Sequence, residues 1–291
     1  MWFITGSSRG LGRALAEEAL SRGLRVAATA RNTAALRSLV QRFGERVLAL
    51  ELDVTKPEDA RAAVKATVEK FGRLDVVVNN AGYANTHSAE DFALDDFRAQ
   101  VDTNFYGVVH VTRAALPVLR AQRSGTFLQI SSIGGRRGGT PGLSAYQAAK
   151  FAVAGFSLAL AAETAPFGVR VVICEPGGIA TDWAGASMTI HEQQPDYEPT
   201  VGATARRVRG NPDGSRGDPK KMAKVLADLP DAPELPRRLL LGSDALFFGR
   251  FADDEARREA EAWAATSVST DRDGQGDFAQ SDVAKFMTRR G

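Results

Sequence analysis

A chain of 291 residues, 44% apolar and 25% charged, is long enough to bury a sizeable core as one large domain or two small ones. Its 37 Lys and Arg against 35 Asp and Glu leave a formal charge of +2, which gives no argument for nucleic acid or an anionic membrane as a partner. The single cysteine, Cys174, excludes an internal disulfide framework and a cysteine-based zinc site; His87, His110 and His191 are scattered, so no metal is expected. The opening Met1-Trp2-Phe3-Ile4-Thr5-Gly6 has no charged leader and no apolar stretch of about 18 residues stands out, so a cytoplasmic protein is expected.

Short apolar runs then alternate with helix-period segments. Trp2 to Thr5, Arg25 to Ala30, Val47 to Leu52, Leu74 to Asn79, Thr126 to Ser131, Val169 to Cys174 and Arg238 to Leu241 read as buried strands. Leu11 to Arg22, Thr33 to Phe43, Pro57 to Phe71, Asp95 to Ala121 and Ala145 to Pro166 carry apolar residues at three- and four-residue spacing and read as helices. The alternation predicts right-handed βαβ units, hence an α/β fold with a parallel sheet covered on both faces. Cys174 is expected to be a buried strand residue and His110 a packing residue.

The rhythm fails after Gly177. Pro195 to Pro236 holds seven of the twelve prolines, with short helices expected near Thr200 to Val208 and Lys220 to Leu229, and an insertion this long predicts a substrate lid over 178–236. The C-terminal extension, 243–291, contains one charged helix, Asp253 to Ala265. Asp271, Asp273 and Gly276 then follow calcium-loop spacing, but Gln275 and Asp282 depart from it, and a polar, turn-rich tail is the simpler reading.

Two corners carry nucleotide chemistry. The turn Thr5-Gly6-Ser7-Ser8-Arg9-Gly10-Leu11-Gly12 joins the first strand to the first helix, where glycines allow close approach and free N–H groups suit a pyrophosphate. The second strand ends Ala28-Thr29-Ala30-Arg31 with no carboxylate for the ribose hydroxyls. Arg31 and Arg9 instead suit a 2′-phosphate, which predicts NADP in preference to NAD.

Tyr146 and Lys150 share one face of the fifth helix as an i,i+4 pair. A tyrosine titrates near ~10, and bringing it down by roughly three units takes about 4 kcal/mol, which an ammonium in a dry site supplies with help from a second positive charge. Taken alone, the spacing is better explained as the edge of an amphipathic helix.

The other motifs change that balance. With the glycine turn come Asp53-Val54 after the third strand, Asn79-Asn80-Ala81-Gly82 ending the fourth, Asn104, Ser131-Ser132 ending the fifth, and Pro176-Gly177 with Thr181 after the sixth. On these residues, which span 1–182, the chain resembles the short-chain dehydrogenase/reductase family, compact type, hydroxysteroid-dehydrogenase-like branch.

The resemblance implies one Rossmann domain over 1–291 with strand order 3-2-1-4-5-6-7. It implies a catalytic group of Asn104, Ser132, Tyr146 and Lys150, in which Tyr146 moves a proton, Ser132 holds the substrate oxygen, Lys150 grips the ribose and lowers the phenol's pKa, and Asn104 orders a water. Cofactor contacts implied are Gly6, Ser8, Arg9, Gly10, Leu11, Gly12, Arg31, Asp53, Val54, Asn80, Ala81, Gly82, Tyr146, Lys150, Pro176, Gly177, Ile179 and Thr181, while Ser131 is structural and Asp53 has the alternative of capping the helix at Pro57.

The activity implied is NADP(H)-dependent interconversion of a ketone or aldehyde and an alcohol on a small, mostly apolar molecule. Trp183, Met188 and Ile190, with His87 and His191, are candidate pocket residues, although core packing explains each equally well. A homodimer through the helices at 95–121 and 145–166 is expected, with a monomer as the alternative. A catalytically silent NADP-binding regulator would have lost part of the catalytic group, and all four members are present. A nucleotide-sugar epimerase would need different glycine spacing and a larger C-terminal substrate domain.

Overall fold

The computed structural model describes residues 1–180, 188–210 and 215–288. Strands β1 (Trp2–Ile4), β2 (Val26–Ala30), β3 (Val47–Glu51), β4 (Val76–Asn79), β6 (Gly125–Ile130), β7 (Val169–Pro176) and β9 (Arg238–Leu241) form one parallel sheet in the order β3-β2-β1-β4-β6-β7-β9. Counting these strands alone gives the expected 3-2-1-4-5-6-7. Two further strands, β5 (Ala84–Thr86) and β8 (Met188–Ile190), pair in parallel as a separate small sheet that the sequence reading missed. Three residues each is too short for a periodicity to register.

Period-two alternation sends neighbouring residues to opposite faces and builds two cores. Ile4, Val78, Leu128 and Val172 join Leu15 and Leu20 of α1 (Gly10–Ser21) on one face. Phe3, Val77, Phe127 and Val171 meet the other helices: α3 (Pro57–Phe71), α5 (Gly107–Gln122) and α6 (Ser144–Thr164). Helix α2 (Arg37–Phe43) follows a short 3-10 turn, and α4 (Leu94–Val101) runs into α5 through a π-turn at Asp102–Tyr106. The strands predicted at 47–52 and 238–241 are only partly buried, because both lie at sheet edges. Cys174 is fully buried, and burial, followed by the charge of Glu175, pushes its thiol up and keeps it protonated.

Three expectations change. Helix α7 (Ala203–Gly210) lies in the insertion, but α8 (Pro219–Asp228) belongs to the layer covering the sheet. It buries Met222, Ala223, Leu226 and Ala227 in the same core as α1, so the expected lid over 178–236 loses its 219–228 portion. The charged C-terminal helix is longer than predicted, since α9 spans Ser243–Ala262 and buries Ala245 and Gly249 in its first turns. Ser144–Phe167 does reach the length and apolarity of a membrane-crossing helix by composition, with a mean hydropathy of 1.2. Here it buries Ala149, Val153, Ala154 and Leu160 and packs on β7, as the core helix of an α/β protein does.

The α/β unit runs from Met1 to Gly249. Arg250–Gly291 form a second compact unit made of the charged remainder of α9, α10 (Ala264–Val268) and α11 (Asp282–Thr288), whose side chains are largely exposed, Trp263, Phe278 and Phe286 included. Among the described residues no three His, Cys, Asp or Glu converge on a metal position, in 271–282 or elsewhere.

Candidate active site

Strand order reverses between β1 and β4, and a doubly wound sheet opens a crevice beyond the carboxyl ends of such neighbours. The glycine turn lies there and is locked to the end of β4. Thr5 Oγ1 donates to Val78 O at 3.2 Å and accepts from the N–H groups of Asn80 and Ala81 at 2.9 and 3.0 Å. Asn80 Nδ2 returns two bonds, to Thr5 O at 2.9 Å and Gly6 O at 3.2 Å. Helix α1 then starts at Gly10, after Arg9, with no side-chain cap and no acidic residue in its first turn. An N-terminus left uncapped and cationic fits a pyrophosphate, so the residues present suit a dinucleotide.

Arg9 and Arg31 are both exposed at this corner. Asp53 Oδ1 accepts from Thr55 N at 3.0 Å and Thr55 Oγ1 at 2.7 Å. Burial alone would raise the Asp53 carboxyl, but those bonds, then Lys56 and Arg31, hold it below its ordinary value. Arg31 and Asp53 therefore share the corner electrostatically. The alternative of a helix cap at Pro57 is corrected: Asp53 closes its own turn, and the α3 cap position is Lys56, with no side-chain bond. His110, expected only to pack, bonds through Nδ1 to Val54 O at 3.0 Å.

The four expected catalytic residues converge from three elements. Ser132, at the end of β6, accepts the Gly134 N–H at 3.0 Å, and its hydroxyl also hydrogen-bonds the Tyr146 phenol. Ser131 donates to Lys150 O at 2.9 Å and ties α6 to the strand end. Lys150 is buried, with Nζ donating to Ile130 O at 2.8 Å and lying 5.7 Å from the Tyr146 ring centre. Asn104 sits in the π-turn, fully buried; its Nδ2 donates to Tyr83 O and Gln100 O, and its Oδ1 accepts the Tyr83 N–H. A Cβ placed on Gly82 would lie 2.5 Å from Asn104 Oδ1 and 3.6 Å from Lys150 Nζ, so these groups meet beside that bare backbone.

The electrostatics depart from expectation. Burial raises the Tyr146 phenol, and the Ser132 hydrogen bond only partly offsets it, so its pKa stands above the ordinary value. The lowering expected from Lys150 is not found in the protein alone. Burial has weakened that ammonium too, to a pKa of about 8, and its hydrogen bond goes to a carbonyl.

Further residues that sequence reading passed over support the site. Glu175, fully buried near the end of β7, accepts Arg136 Nη1 and Arg238 Nη1 at 3.0 Å each. The pair bolts the loop after Ser132 to the strand that delivers Pro176-Gly177. A lone carboxylate in an apolar run was the available signal, since such a group is seldom buried unpaired. Glu175→Leu leaves two part-buried arginines without their counter-charge and is expected to cost about 3 kcal/mol in urea unfolding. Adding Arg136→Met and Arg238→Met should recover most of it.

Past β7, Gly178 N donates to Asp244 Oδ2 at 2.8 Å, and Ile179 bridges Gly217. Thr181 and Trp183 lie outside the described residues. Of the remaining pocket candidates, Met188 is buried and Ile190 half-buried on β8, while His87 and His191 stack at 4.9 Å where β5 and β8 end. Burial, then His191, holds His87 below its ordinary pKa, so the ring is neutral at pH 7.

Residues 1–190 match the family model described as short chain dehydrogenase. The chain belongs to the short-chain dehydrogenase family. Among curated members, an oxidoreductase of Botryotinia fuckeliana, BOA17, is 50% identical over 271 residues, covering 93% of this chain and 98% of that protein. A crystal structure of a short-chain dehydrogenase from Streptomyces avermitilis superposes with a TM-score of 0.87 at 38% identity, covering 93% and 99% of the two chains. Two more distant members were solved with nucleotides. A Thermococcus sibiricus alcohol dehydrogenase holds 5-hydroxy-NADP (27% identity, TM-score 0.66, 82% and 94% covered), and a Brucella melitensis 3-ketoacyl-(acyl-carrier-protein) reductase holds NADH (28%, 0.68, 82% and 94%). This short-chain dehydrogenase is thus an oxidoreductase of a family that uses nicotinamide dinucleotides.

Proposed function

We propose that this short-chain dehydrogenase reduces a ketone or aldehyde on a small, mostly apolar molecule with NADPH, and runs the reverse oxidation when the alcohol is supplied. The carrying observation is the hydrogen bond between the Ser132 hydroxyl and the Tyr146 phenol, with Ser132 held by the Gly134 N–H and Lys150 one helical turn from the phenol. Bound NADPH supplies the hydride to the carbonyl carbon. Tyr146 gives its proton to the oxygen that becomes the alcohol, and Ser132 donates a hydrogen bond to that oxygen as charge develops on it. A phenol held above its ordinary pKa is protonated at neutral pH, which suits a proton donor. Lys150 holds the ribose hydroxyls, and Asn104 orders a water between Lys150 and solvent.

The uncapped start of α1 supports Gly6, Ser8, Gly10, Leu11 and Gly12 as the pyrophosphate cradle, with Asn80, Ala81 and Gly82 beside the ribose. Asp53 and Val54 lie at the adenine and Pro176, Gly177 and Ile179 at the nicotinamide. Because the family includes a member solved with NADH, the preference for NADP rests on Arg9 and Arg31. Replacing both by alanine is expected to lower kcat/KM with NADPH by about 10- to 100-fold, the worth of charge-assisted bonds to a phosphate, and leave the value with NADH nearly unchanged. A wild-type preference for NADH would overturn the assignment.

Buried Met188 and half-buried Ile190 on β8 support an apolar pocket of the hydroxysteroid-dehydrogenase kind, closed by the insertion outside 219–228 acting as a lid. Exposed Phe151 and Leu158, seven residues apart on α6, support a homodimer. A cytoplasmic location stays the expectation, in keeping with a chain whose single cysteine, Cys174, has no second thiol to pair with. An NADPH-oxidation screen against ketones graded by size and polarity tests the whole reading; the absence of oxidation with every carbonyl would refute it in favour of a silent NADP-binding regulator.

A further inference from the structure

Strand β7 hands over to a glycine pair, Gly177-Gly178, whose backbone is gripped from two sides. On one side Gly177 N donates to Leu241 O at 3.0 Å and Gly178 N donates to Asp244 Oδ2 at 2.8 Å. On the other, Gly217 N donates to Gly178 O at 2.8 Å and Ala180 N to Gly217 O at 2.7 Å. Asp244 does more than accept one bond. Its carboxylate stands where a side chain at 177 would begin: a Cβ built on Gly177 would lie 2.3 Å from Oδ2 and 2.4 Å from Oδ1. The Asp244 carboxylate therefore occupies the space that a side chain at 177 would need, and a Cβ there would displace it.

Asp244 lies in the first turn of α9, where the helix dipole favours a negative charge. Its Oδ1 is nevertheless buried without a hydrogen-bond partner among the described residues. A carboxylate that leaves one oxygen unsatisfied carries a desolvation cost, and a helix cap alone would be served as well by a serine in solvent. The position of the carboxylate is explained by the turn it holds.

We infer that Asp244 is a positioning residue: through the Gly178 N–H it fixes the Gly177–Ile179 backbone, and so sets where the nicotinamide end of the cofactor rests, without touching substrate. The inference stands on the reading that this turn meets the nicotinamide, and it concerns a residue about 60 positions beyond the last shared motif. It predicts a split between the two ends of the cofactor. The adenosine end is held by the glycine turn, Arg9 and Arg31, none of which depends on Asp244; only the nicotinamide end does.

Binding of NADPH and of its fragment adenosine 2′,5′-bisphosphate, measured by calorimetry without turnover, reads the split. Asp244→Ala is expected to weaken NADPH by about tenfold, on the scale of one hydrogen bond to a charged group, while the fragment stays within about twofold. Asp244→Asn, whose amide oxygen still accepts the Gly178 N–H, should restore most of the loss. Gly177→Ala, which pushes a methyl group into the carboxylate, should reproduce the split and carries the test if Asp244→Ala does not fold. Equal effects on NADPH and fragment, or none on either, would overturn the inference and leave the nucleotide reading standing. Wild-type protein that binds neither molecule would overturn both.

Discussion

Tyr146→Phe is expected to lower turnover by at least about two orders of magnitude, as lost proton transfer in the transition state does, and to leave binding of the proposed cofactor NADPH intact. Phenylalanine keeps the ring and its packing at the start of α6 and removes only the hydroxyl. Ser132 keeps its orienting bond from Gly134 N–H but loses its phenol partner, so the developing alkoxide has one donor and no proton source. The pH dependence separates this from a loss of packing. Burial holds the phenol above its ordinary value, so reduction, which needs the protonated form, should be flat through neutral pH. Oxidation needs the phenolate, and its rate should climb with pH in the wild type and not in Tyr146→Phe. Turnover unchanged in the variant would sink the mechanism.

Lys150→Met is expected to lower turnover sharply and to stabilise the protein at neutral pH, the opposed effects of a residue kept for function at a cost in stability. Burial lowers the Lys150 ammonium from 10.5 to about 8, and at 5% exposure solvent does little to screen it. A base whose pKa is lower folded than unfolded disfavours folding wherever both states are protonated, here below pH 8. That penalty is roughly 3 kcal/mol and is relieved as pH rises from about 8 to 10.5, where the unfolded chain binds the extra proton. Methionine removes the charge and keeps the stem, although it orphans the Ile130 carbonyl at about 1–2 kcal/mol. The variant should therefore be more stable than wild type by about 1–2 kcal/mol at pH 7, with the difference closing and reversing by pH 10.5. Urea unfolding at both pH values measures it. A variant less stable at pH 7 would mean that the buried ammonium costs less than the orphaned Ile130 carbonyl and would overturn the prediction. Turnover should fall at least about a hundredfold, since the ribose grip and the positive charge beside the phenol are both gone.

The two predictions meet in the unliganded site. Neither Tyr146 nor Lys150 is electrostatically at ease in the protein alone: one is too weak an acid, the other too weak a base. A second positive charge close to the phenol is what the expected lowering requires, and in our reading the oxidised cofactor supplies it. The chain accepts a stability cost at Lys150 to keep an ammonium ready there, as functional sites commonly do.

Much of this protein was written in contiguous residues. Seven strands alternate with helical segments over short windows, and each expected strand was found within two residues of its place, because a strand of a covered parallel sheet is a short apolar run, even at the partly buried edges. Strand order, family and the convergence of Asn104, Ser132, Tyr146 and Lys150 followed from motifs read locally. What the tertiary structure alone decided depends on partners far apart in the chain. Glu175 meets Arg136 across 39 residues and Arg238 across 63, and Asp244 meets Gly178 across 66. No local period announces such pairs. The π-turn that aims Asn104, the docking of α8 against α1, and the three-residue strands at His87 and His191 are likewise set by packing and not by propensity. So is the direction of the Tyr146 pKa. The sequence places an ammonium four residues from a phenol, but only the fold determines how dry both are, and dryness decides which charge survives.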